Sequence, residues 1–368
     1  MKISIILTAA TILFISFLSN SCKKSNNASA SVSVQFKATA GSSQTFVIKT
    51  DGTLWGAGYN LLGQLGDGTT SNKNVLVKIN DNIKDVSGAT HHTLILKIDG
   101  SMWTTGHNDN GQLGDGSFSD EIIPEKIMDN VIAISAGETH SLILKSDNSL
   151  WATGDNRNGE LGIGTYSVER TPIRIIDNVK AICAGFYCSF IIKSDNSLWG
   201  AGLNSGGQLG DGTSLSKNTF VKIMDNVKAV TTNNSHTLIL KNDNSLWATG
   251  DNSFGLLGNG TTTSTNVPIK ILDNVKEATT GGLFSMFLKN DNSLWAAGAG
   301  GNLGDGTSTT TYTPIKVMEN VQAISAGTQH TVIILTDNSV WSTGDNILGE
   351  LADGTFTFRT SFVKINLP

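Results

Sequence analysis

The chain has 368 residues, and 26 basic against 31 acidic side chains give it a net charge of −5. These charges are scattered along the sequence, which excludes the clustered Lys and Arg of a nucleic-acid-binding surface. With 39% apolar residues and 40 glycines, the composition is that of a turn-rich globular protein and not of a disordered chain.

The first 22 residues differ from the rest. Lys2 is their only charge, an apolar run occupies Ile3–Leu18, and small polar residues precede Cys22. This order predicts a signal peptide over residues 1–22, because a membrane-spanning helix needs about twenty apolar residues. The segment resembles a bacterial lipoprotein signal, in which the cysteine is lipidated, although Ser19 stands where that family usually has leucine.

This resemblance implies that Cys22 carries a lipid. The protein is then exported and anchored to a membrane of a bacterial cell envelope, and it touches the membrane only through the lipid. Ordinary cleavage and a retained anchor are the alternatives. Residues 23–32 are small and polar, which predicts a flexible tether between the anchor and the folded domain.

All seven tryptophans recur at a regular spacing. The intervals are 48 residues except for a last interval of 46, and the positions are Trp55, Trp103, Trp151, Trp199, Trp247, Trp295 and Trp341. A period of 20–50 residues indicates a solenoid or a propeller. We therefore expect residues 33–368 to form one repeat domain.

Each repeat contains four short β-runs. In the third complete unit they are Thr171–Ile176, Val179–Gly185, Cys188–Lys193 and Ser197–Gly202, bounded by Gly, Asp or Asn, as is typical of strands and their turns. Seven such units predict an all-β, seven-bladed propeller of four-stranded antiparallel blades. Because the chain begins at the second strand type and ends at the first, we expect the N- and C-terminal strands to pair and close the ring.

The repeats resemble those of the regulator of chromosome condensation family. The resemblance rests on AISAGETHSLILK at Ala133–Lys145, on SLWATGDN at Ser245–Asn252, and on GQLGDGT at Gly63–Thr69 and Gly207–Thr213. It spans nearly all of the chain after the tether and implies a seven-bladed propeller. The nucleotide exchange and chromatin binding of the best-known members are not expected, because the wedge-like insertion and the basic tail are missing. The role of an interaction platform remains implied.

The repeated motifs are expected to be structural. The seven tryptophans share one strand position, which favours packing between blades over a platform for sugars. His92, His140, His236 and His330 also share one position, too far apart around a ring to bind one metal ion, so we expect hydrogen-bonded structural histidines that cap the backbone near the glycine turns. The glycine-rich loops lack the lysine of a phosphate-binding loop. No metal and no cofactor is predicted.

Two cysteines remain besides Cys22. Cys183 and Cys188 flank the turn Ala184–Tyr187 and could face each other across a hairpin. In an exported protein a disulfide between them could persist. The alternative is two small buried thiols.

The strand order places two kinds of connection on opposite faces of the disc. The Asp-Gly and Asp-Asn turns lie on one face (the tight-turn face), and the tips after the second run lie with the long loops on the other (the loop face). Binding residues concentrate on variable loops, and aromatics and Arg are enriched at hot spots. The candidate binding residues of the loop face are Tyr59, His91, His107, Glu138, Tyr166, Arg170, Phe186, Tyr187, Phe254, Tyr312, Phe356, Phe358 and Arg359.

These features predict a non-enzymatic, lipid-anchored propeller that binds an unidentified protein or peptide at the cell envelope through its loop face. The tether enters on the tight-turn face, which would direct the loop face away from the membrane. A carbohydrate-binding propeller is the alternative. An enzyme is the third and least favoured alternative, because no single blade contains a set of catalytic residues that the other blades lack.

Overall fold

The computed structural model describes residues 34–233 and 235–368. The predicted signal peptide, Cys22 and the tether lie outside these ranges. Within them every regular element is a β-strand, and the strands form seven four-stranded antiparallel sheets. The predicted all-β, seven-bladed propeller is confirmed. The described ranges contain no helix that is long and apolar enough to cross a membrane.

Each blade places four consecutive strands side by side in chain order. The innermost strands, which contact one another around the axis, are Lys37–Ala40 (β1), Ile83–Gly88 (β5), Val131–Ala136 (β9), Val179–Ala184 (β13), Val227–Thr232 (β17), Val275–Thr280 (β21) and Val321–Ala326 (β25). The second strands are Gln44–Ile48 (β2), His92–Lys97 (β6), His140–Lys145 (β10), Cys188–Lys193 (β14), His236–Lys241 (β18), Phe284–Lys289 (β22) and His330–Leu335 (β26). The third strands are Leu54–Gly58 (β3), Met102–Gly106 (β7), Leu150–Gly154 (β11), Leu198–Gly202 (β15), Leu246–Gly250 (β19), Leu294–Gly298 (β23) and Val340–Gly344 (β27). The outermost strands are Lys73–Asn80 (β4), Glu121–Met128 (β8), Glu169–Ile176 (β12), Lys217–Met224 (β16), Thr265–Leu272 (β20), Thr311–Met318 (β24) and Arg359–Lys364 (β28).

The predicted pairing of the N- and C-terminal strands is wrong. The C-terminal strand β28 pairs with β27 of its own blade, and the first blade is complete from β1 to β4. The first β-run of each predicted unit, such as Thr171–Ile176, is instead part of the outermost strand of the preceding blade. Every blade is therefore continuous in sequence, and no strand is left over to complete another blade.

Packing between the first and last blades closes the ring instead. The Thr328 N–H donates to Ser42 O at 2.8 Å, and the Ala40 N–H donates to Ser325 Oγ at 2.9 Å. An apolar cluster drawn from both blades fills the same junction. Because the other six junctions are built in the same way, the closing junction needs no special lock.

Each junction cluster includes one of the seven half-buried tryptophans, supplied by the later blade. Trp199 of the fourth blade, for example, packs on a cluster that contains Leu142 and Leu161 of the third. Its indole N–H donates to Ser197 Oγ at 2.8 Å, and the Lys193 amine lies 4.1 Å from its ring centre. The other six indoles make the same bond to Ser or Thr. The indoles are thus part of the packing between blades.

The four repeated histidines are buried and link neighbouring blades. Their Nε2 atoms lie 2.9–3.3 Å from a hydroxyl of the next blade, in the pairs His92–Ser141, His140–Ser189, His236–Ser285 and His330–Thr45. Burial lowers the pKa of His92 to about 3 and that of the others to about 4, so these imidazoles are neutral at pH 7. The structural role is confirmed, but the partner is a hydroxyl across the junction and not the backbone beside the glycine turn. Only His330 also contacts a backbone carbonyl through Nε2 among the described residues, that of Gln44 at 3.2 Å.

The sixth blade has no histidine at this position. Thr45 and Thr331, which are equivalent residues of the first and seventh blades, should therefore differ in their contribution to stability. Phe284 stands at the histidine position, and the Thr331 hydroxyl opposite it is buried with no partner among the described residues. Thr45 instead donates to Glu350 O at 2.6 Å. We expect Thr45→Val to lower the free energy of unfolding by about 1–3 kcal/mol and Thr331→Val to leave it unchanged or raise it by about 1 kcal/mol. Urea unfolding measures both, and equal losses would contradict the assignment.

Cys183 and Cys188 are buried, and no disulfide joins them. Cys188 begins β14 at the position that carries histidine in four other blades. Burial raises the pKa of the Cys188 thiol to about 12, so it stays protonated at neutral pH. The structure therefore corresponds to the alternative of two small buried thiols.

Candidate interaction surface on the loop face

The long loops share one rigid framework. In the first blade, Asn60 Nδ2 donates to Asp67 Oδ1 and to Thr69 O, both at 3.0 Å, and Asn60 Oδ1 accepts from the Leu65 N–H at 2.9 Å. The equivalent asparagine accepts the same bond in five other blades. Since these six loops keep the same asparagine bond, they differ from one another mainly in their projecting side chains.

The tips and the long loops lie at the same end of the blades, as predicted. The first residue after each third strand donates its N–H to a tip carbonyl, as in Tyr59 to Ser43 O at 2.9 Å and His107 to His91 O at 2.8 Å. Each tip side chain therefore stands beside the start of a loop. Tips and loop starts therefore adjoin one another at this end of every blade.

Six of the predicted residues lie at the tips of the first four blades or at the loop starts beside those tips. We call them the tip arc, and they are Tyr59, His91, His107, Glu138, Phe186 and Tyr187. The His91 ring is 6.0 Å from the rings of both Tyr59 and His107 in edge-on contacts. Its Nδ1 lies 3.2 Å from Glu138 Oε1, and Phe186 packs edge-on against Tyr187 at 6.2 Å.

Carboxylates of the third blade act on Tyr187 of the fourth blade through their charge. Burial, followed by the charges of Glu138, Asp155 and Glu160, raises the pKa of the Tyr187 phenol. The positive charge of Arg157 partly offsets these negative charges, because its Nη2 lies 2.8 Å from Asp155 Oδ2. Tyr187 thus stays a neutral hydrogen-bonding phenol within an acidic surface.

The other predicted residues lie outside the tip arc, on the long loops and the first residues of the outer strands. Five aromatics there are 44–57% exposed, namely Tyr166, Phe254, Tyr312, Phe356 and Phe358. Arg170 stacks over the Phe118 ring at 5.1 Å. Arg359 is paired with Asp353, with Nη2 and Oδ2 2.9 Å apart. These residues are spread around the rim and do not form one patch.

One exposed aromatic residue of this rim was not predicted from the sequence. Phe118, which is 50% exposed, lies fifteen residues after its blade's tryptophan, as do Tyr166 and Phe356. Aligning the repeats on the tryptophans would have grouped the three residues. Leu61 and Ile347, 56% and 65% exposed, share another loop position that was missed for the same reason.

Two models of one repeat family match segments of the chain. The regulator of chromosome condensation (RCC1) repeat matches residues 99–144 and 243–288, and a second model of that repeat matches 131–160, 227–256 and 321–350. The chain carries RCC1 repeats. The matched segments fall in blades that have the same strand order as the unmatched ones. No curated protein matches the sequence of this chain.

Three solved structures resemble this one in fold. Human WBSCR16 is 20% identical with a TM-score of 0.79, over 86% of this chain and 94% of that chain. Prp20p of Saccharomyces cerevisiae is 20% identical with a TM-score of 0.70, over 80% of each chain. Yeast RCC1 (Prp20) bound to Kap60 is 19% identical with a TM-score of 0.70, over 78% of this chain and 77% of that chain. At this identity the likeness concerns the fold alone.

Proposed function

We propose that this RCC1-repeat protein is an exported, lipid-anchored interaction platform that binds a protein or peptide through its tip arc. The observation that carries the proposal is the tip arc itself. Its Tyr59, His91, His107 and Glu138 side chains contact one another across the first three blades, and Phe186 packs against Tyr187 in the fourth. Such amphipathic rings provide contact area at low entropic cost, and the rigid blades hold them in place. No catalytic role is part of the proposal.

The entry point of the chain supports the proposed orientation. Val34 lies beside the Asp51-Gly52 turn, because a Cβ atom added to Gly52 would be 3.6 Å from Val34 Cγ2. The chain therefore joins the propeller on the tight-turn face. A lipid on Cys22 would hold that face toward the membrane, and the tip arc would point toward a partner in the surrounding compartment.

The solved relatives are compatible with such a role. Yeast RCC1 (Prp20) has been solved bound to Kap60, and Prp20p has binding properties toward Gsp1p and histones. These are properties of the yeast protein. For the present chain they support only the general proposal that a propeller of this kind presents a surface to other proteins.

Charge favours a partner segment that carries Lys or Arg. The loop of the second blade and the start of its outer strand bring together the carboxylates of Asp115, Asp120, Glu121 and Glu125. Burial, and then repulsion from the other three, raises the pKa of Glu121. A basic segment would relieve this repulsion, so binding should weaken as salt concentration rises.

A co-purification experiment tests the platform. Three baits of the full chain are solubilised in detergent, namely the wild type, an arc variant (Tyr59→Ala, His91→Ala, Tyr187→Ala) and a control variant (Lys126→Ala, Arg174→Ala, Lys222→Ala). The control residues form exposed ion pairs at the tight turns, which contribute little to stability. We expect one envelope protein to bind the wild type and the control but not the arc variant. Equal capture by all three would reject the tip arc.

The proposed anchor makes a separate prediction. Cys22→Ser removes the sulfur that would carry the lipid, so at least about nine-tenths of the protein should move from the membrane fraction to the soluble fraction, because the propeller would then have no anchor. Fractionation followed by immunoblotting measures this, with Cys183→Ser as a control that leaves the distribution unchanged. Membrane retention of Cys22→Ser would contradict the lipid anchor.

A further inference from the structure

A polar cleft of about 710 Å³ opens on the loop face between the fourth and fifth blades. One wall is the β15–β16 loop of the fourth blade, with Ser205, Gly206 and Ser214. The other wall comes from the fifth blade, with Ser235 at its tip and Asp251 and Ser264 in its loop. The cleft lies outside the tip arc, and its volume is in the range of small-molecule sites.

The cleft exists because side chains are short at positions that are bulky in other blades. The position of Gly206 is filled elsewhere by Leu62, Asn110, Asn158, Phe254 and Leu348. That of Ser205 is filled by Leu61, Asp109, Arg157, Ser253 and Ile347. That of Ser214 is aromatic in three blades, as Phe118, Tyr166 and Phe356. This junction thus combines small residues at three positions, each of which carries a larger side chain in at least three other blades.

The short residues are mainly serines, which keep hydrogen-bonding groups in the cleft. No described residue forms a hydrogen bond with the hydroxyls of Ser205, Ser214 or Ser235. Asp251 Oδ1 accepts from Ser253 Oγ at 2.6 Å and from Ser264 Oγ at 3.3 Å, while its Oδ2 accepts none from the described residues. Burial would raise the pKa of Asp251, but these hydrogen bonds outweigh burial and lower it, so the carboxylate is ionised.

The lining contains hydroxyls, carboxamides and one carboxylate, but no Lys or Arg. A phosphate or carboxylate ligand would find no countercharge and would be repelled by Asp251. An apolar ligand would leave the polar groups unsatisfied, which is costly. Sugar hydroxyls both donate and accept, so they can satisfy serine hydroxyls and a carboxylate together. We propose that this cleft binds a neutral oligosaccharide.

Saturation-transfer NMR on the full chain tests this, with three neutral probes at millimolar concentration: maltotriose, cellotriose and chitotriose. The filled variant is Gly206→Leu with Ser214→Phe, which introduces the residues found at the equivalent positions Leu62 and Phe118. A Cβ at Gly206 would meet no atom closer than 3.3 Å, so the fold should accept it. The control variant Thr262→Phe places the same ring at the equivalent position of the fifth blade.

We expect at least one trisaccharide to give saturation transfer with the wild type and with Thr262→Phe, and its affinity to fall at least tenfold in the filled variant. The arc variant should bind the sugar as the wild type does, so failure of this proposal is distinguishable from failure of the interaction platform. The proposal is overturned if none of the three probes binds the wild type, or if the filled variant binds with unchanged affinity.

Discussion

Replacing Glu277 with alanine should stabilise the propeller at pH 8 by about 2–4 kcal/mol and leave it nearly unchanged below pH 4.5. Glu277 lies on β21, where its Oε1 is inaccessible to solvent and has no partner among the described residues. Burial raises the pKa of this carboxyl from 4.5 to about 8, although the charge of Lys276 opposes the change. The folded state therefore holds a proton that the unfolded chain releases above pH 4.5.

The direction of the effect follows from this proton. Folding takes up a proton between about pH 4.5 and pH 8, so the carboxyl makes the folded state progressively less stable as the pH rises through that window. Alanine removes the penalty and already occupies the equivalent position in four blades, as Ala133, Ala181, Ala229 and Ala323. Urea unfolding at pH 4.5, 6 and 8 measures the gain, with Glu277→Gln as the isosteric control. A gain that does not depend on pH would contradict the account.

Gly202→Ala should lower the free energy of unfolding by about 4 kcal/mol, whereas Gly200→Ala in the same strand should change it by less than about 1 kcal/mol. Gly202 ends β15 at φ +102°, a conformation that L residues rarely adopt. A Cβ there would lie 2.6 Å from Cys188 Cα and closer still to Tyr187 O. The strain cannot relax, because both obstacles belong to the backbone.

Gly200 provides the matched control. Its added Cβ would meet mainly the end of the Ile223 side chain, at 2.9 Å, and alanine stands at the equivalent positions 152, 248 and 296. All seven blades, in contrast, have glycine at the position of Gly202, with φ between 102° and 118°. Thermal and urea unfolding of the two variants distinguish them, and similar losses would show that the left-handed conformation is not the cause.

The fold could be predicted because its determinants are local and repeated. The tryptophan period, the alternation in runs such as Cys188–Lys193, and the Asp-Asn turns each predict strands of the right length. The ring closure could not be predicted in the same way. In a perfect repeat, a run such as Thr171–Ile176 can pair with the strand before it or with the strand after it, and the local pattern is the same in both cases.

The candidate site was only partly predictable. Residue types identified Tyr59, His91 and Tyr187 as loop-face side chains. Which of them lie close together depends on how neighbouring blades pack against each other, and the sequence of a single repeat does not determine that packing. The cleft between the fourth and fifth blades was not predicted, because the only sequence feature that marks it is a set of small side chains. Gly206 and Ser214 are unremarkable singly, and they stand out only when the repeats are aligned and the two walls are brought together.

Crosslinking from defined positions shows whether the tip arc faces a protein partner. A photoreactive phenylalanine analogue is placed at Tyr187 in the tip arc or at Asn148 in a tight turn, and intact cells are irradiated. We expect one discrete crosslinked partner from Tyr187 and none from Asn148, with the Tyr187 product lost when Tyr59 and His91 are also changed to alanine. A partner captured from Asn148 and not from Tyr187 would place the binding face on the opposite side of the propeller and contradict the account.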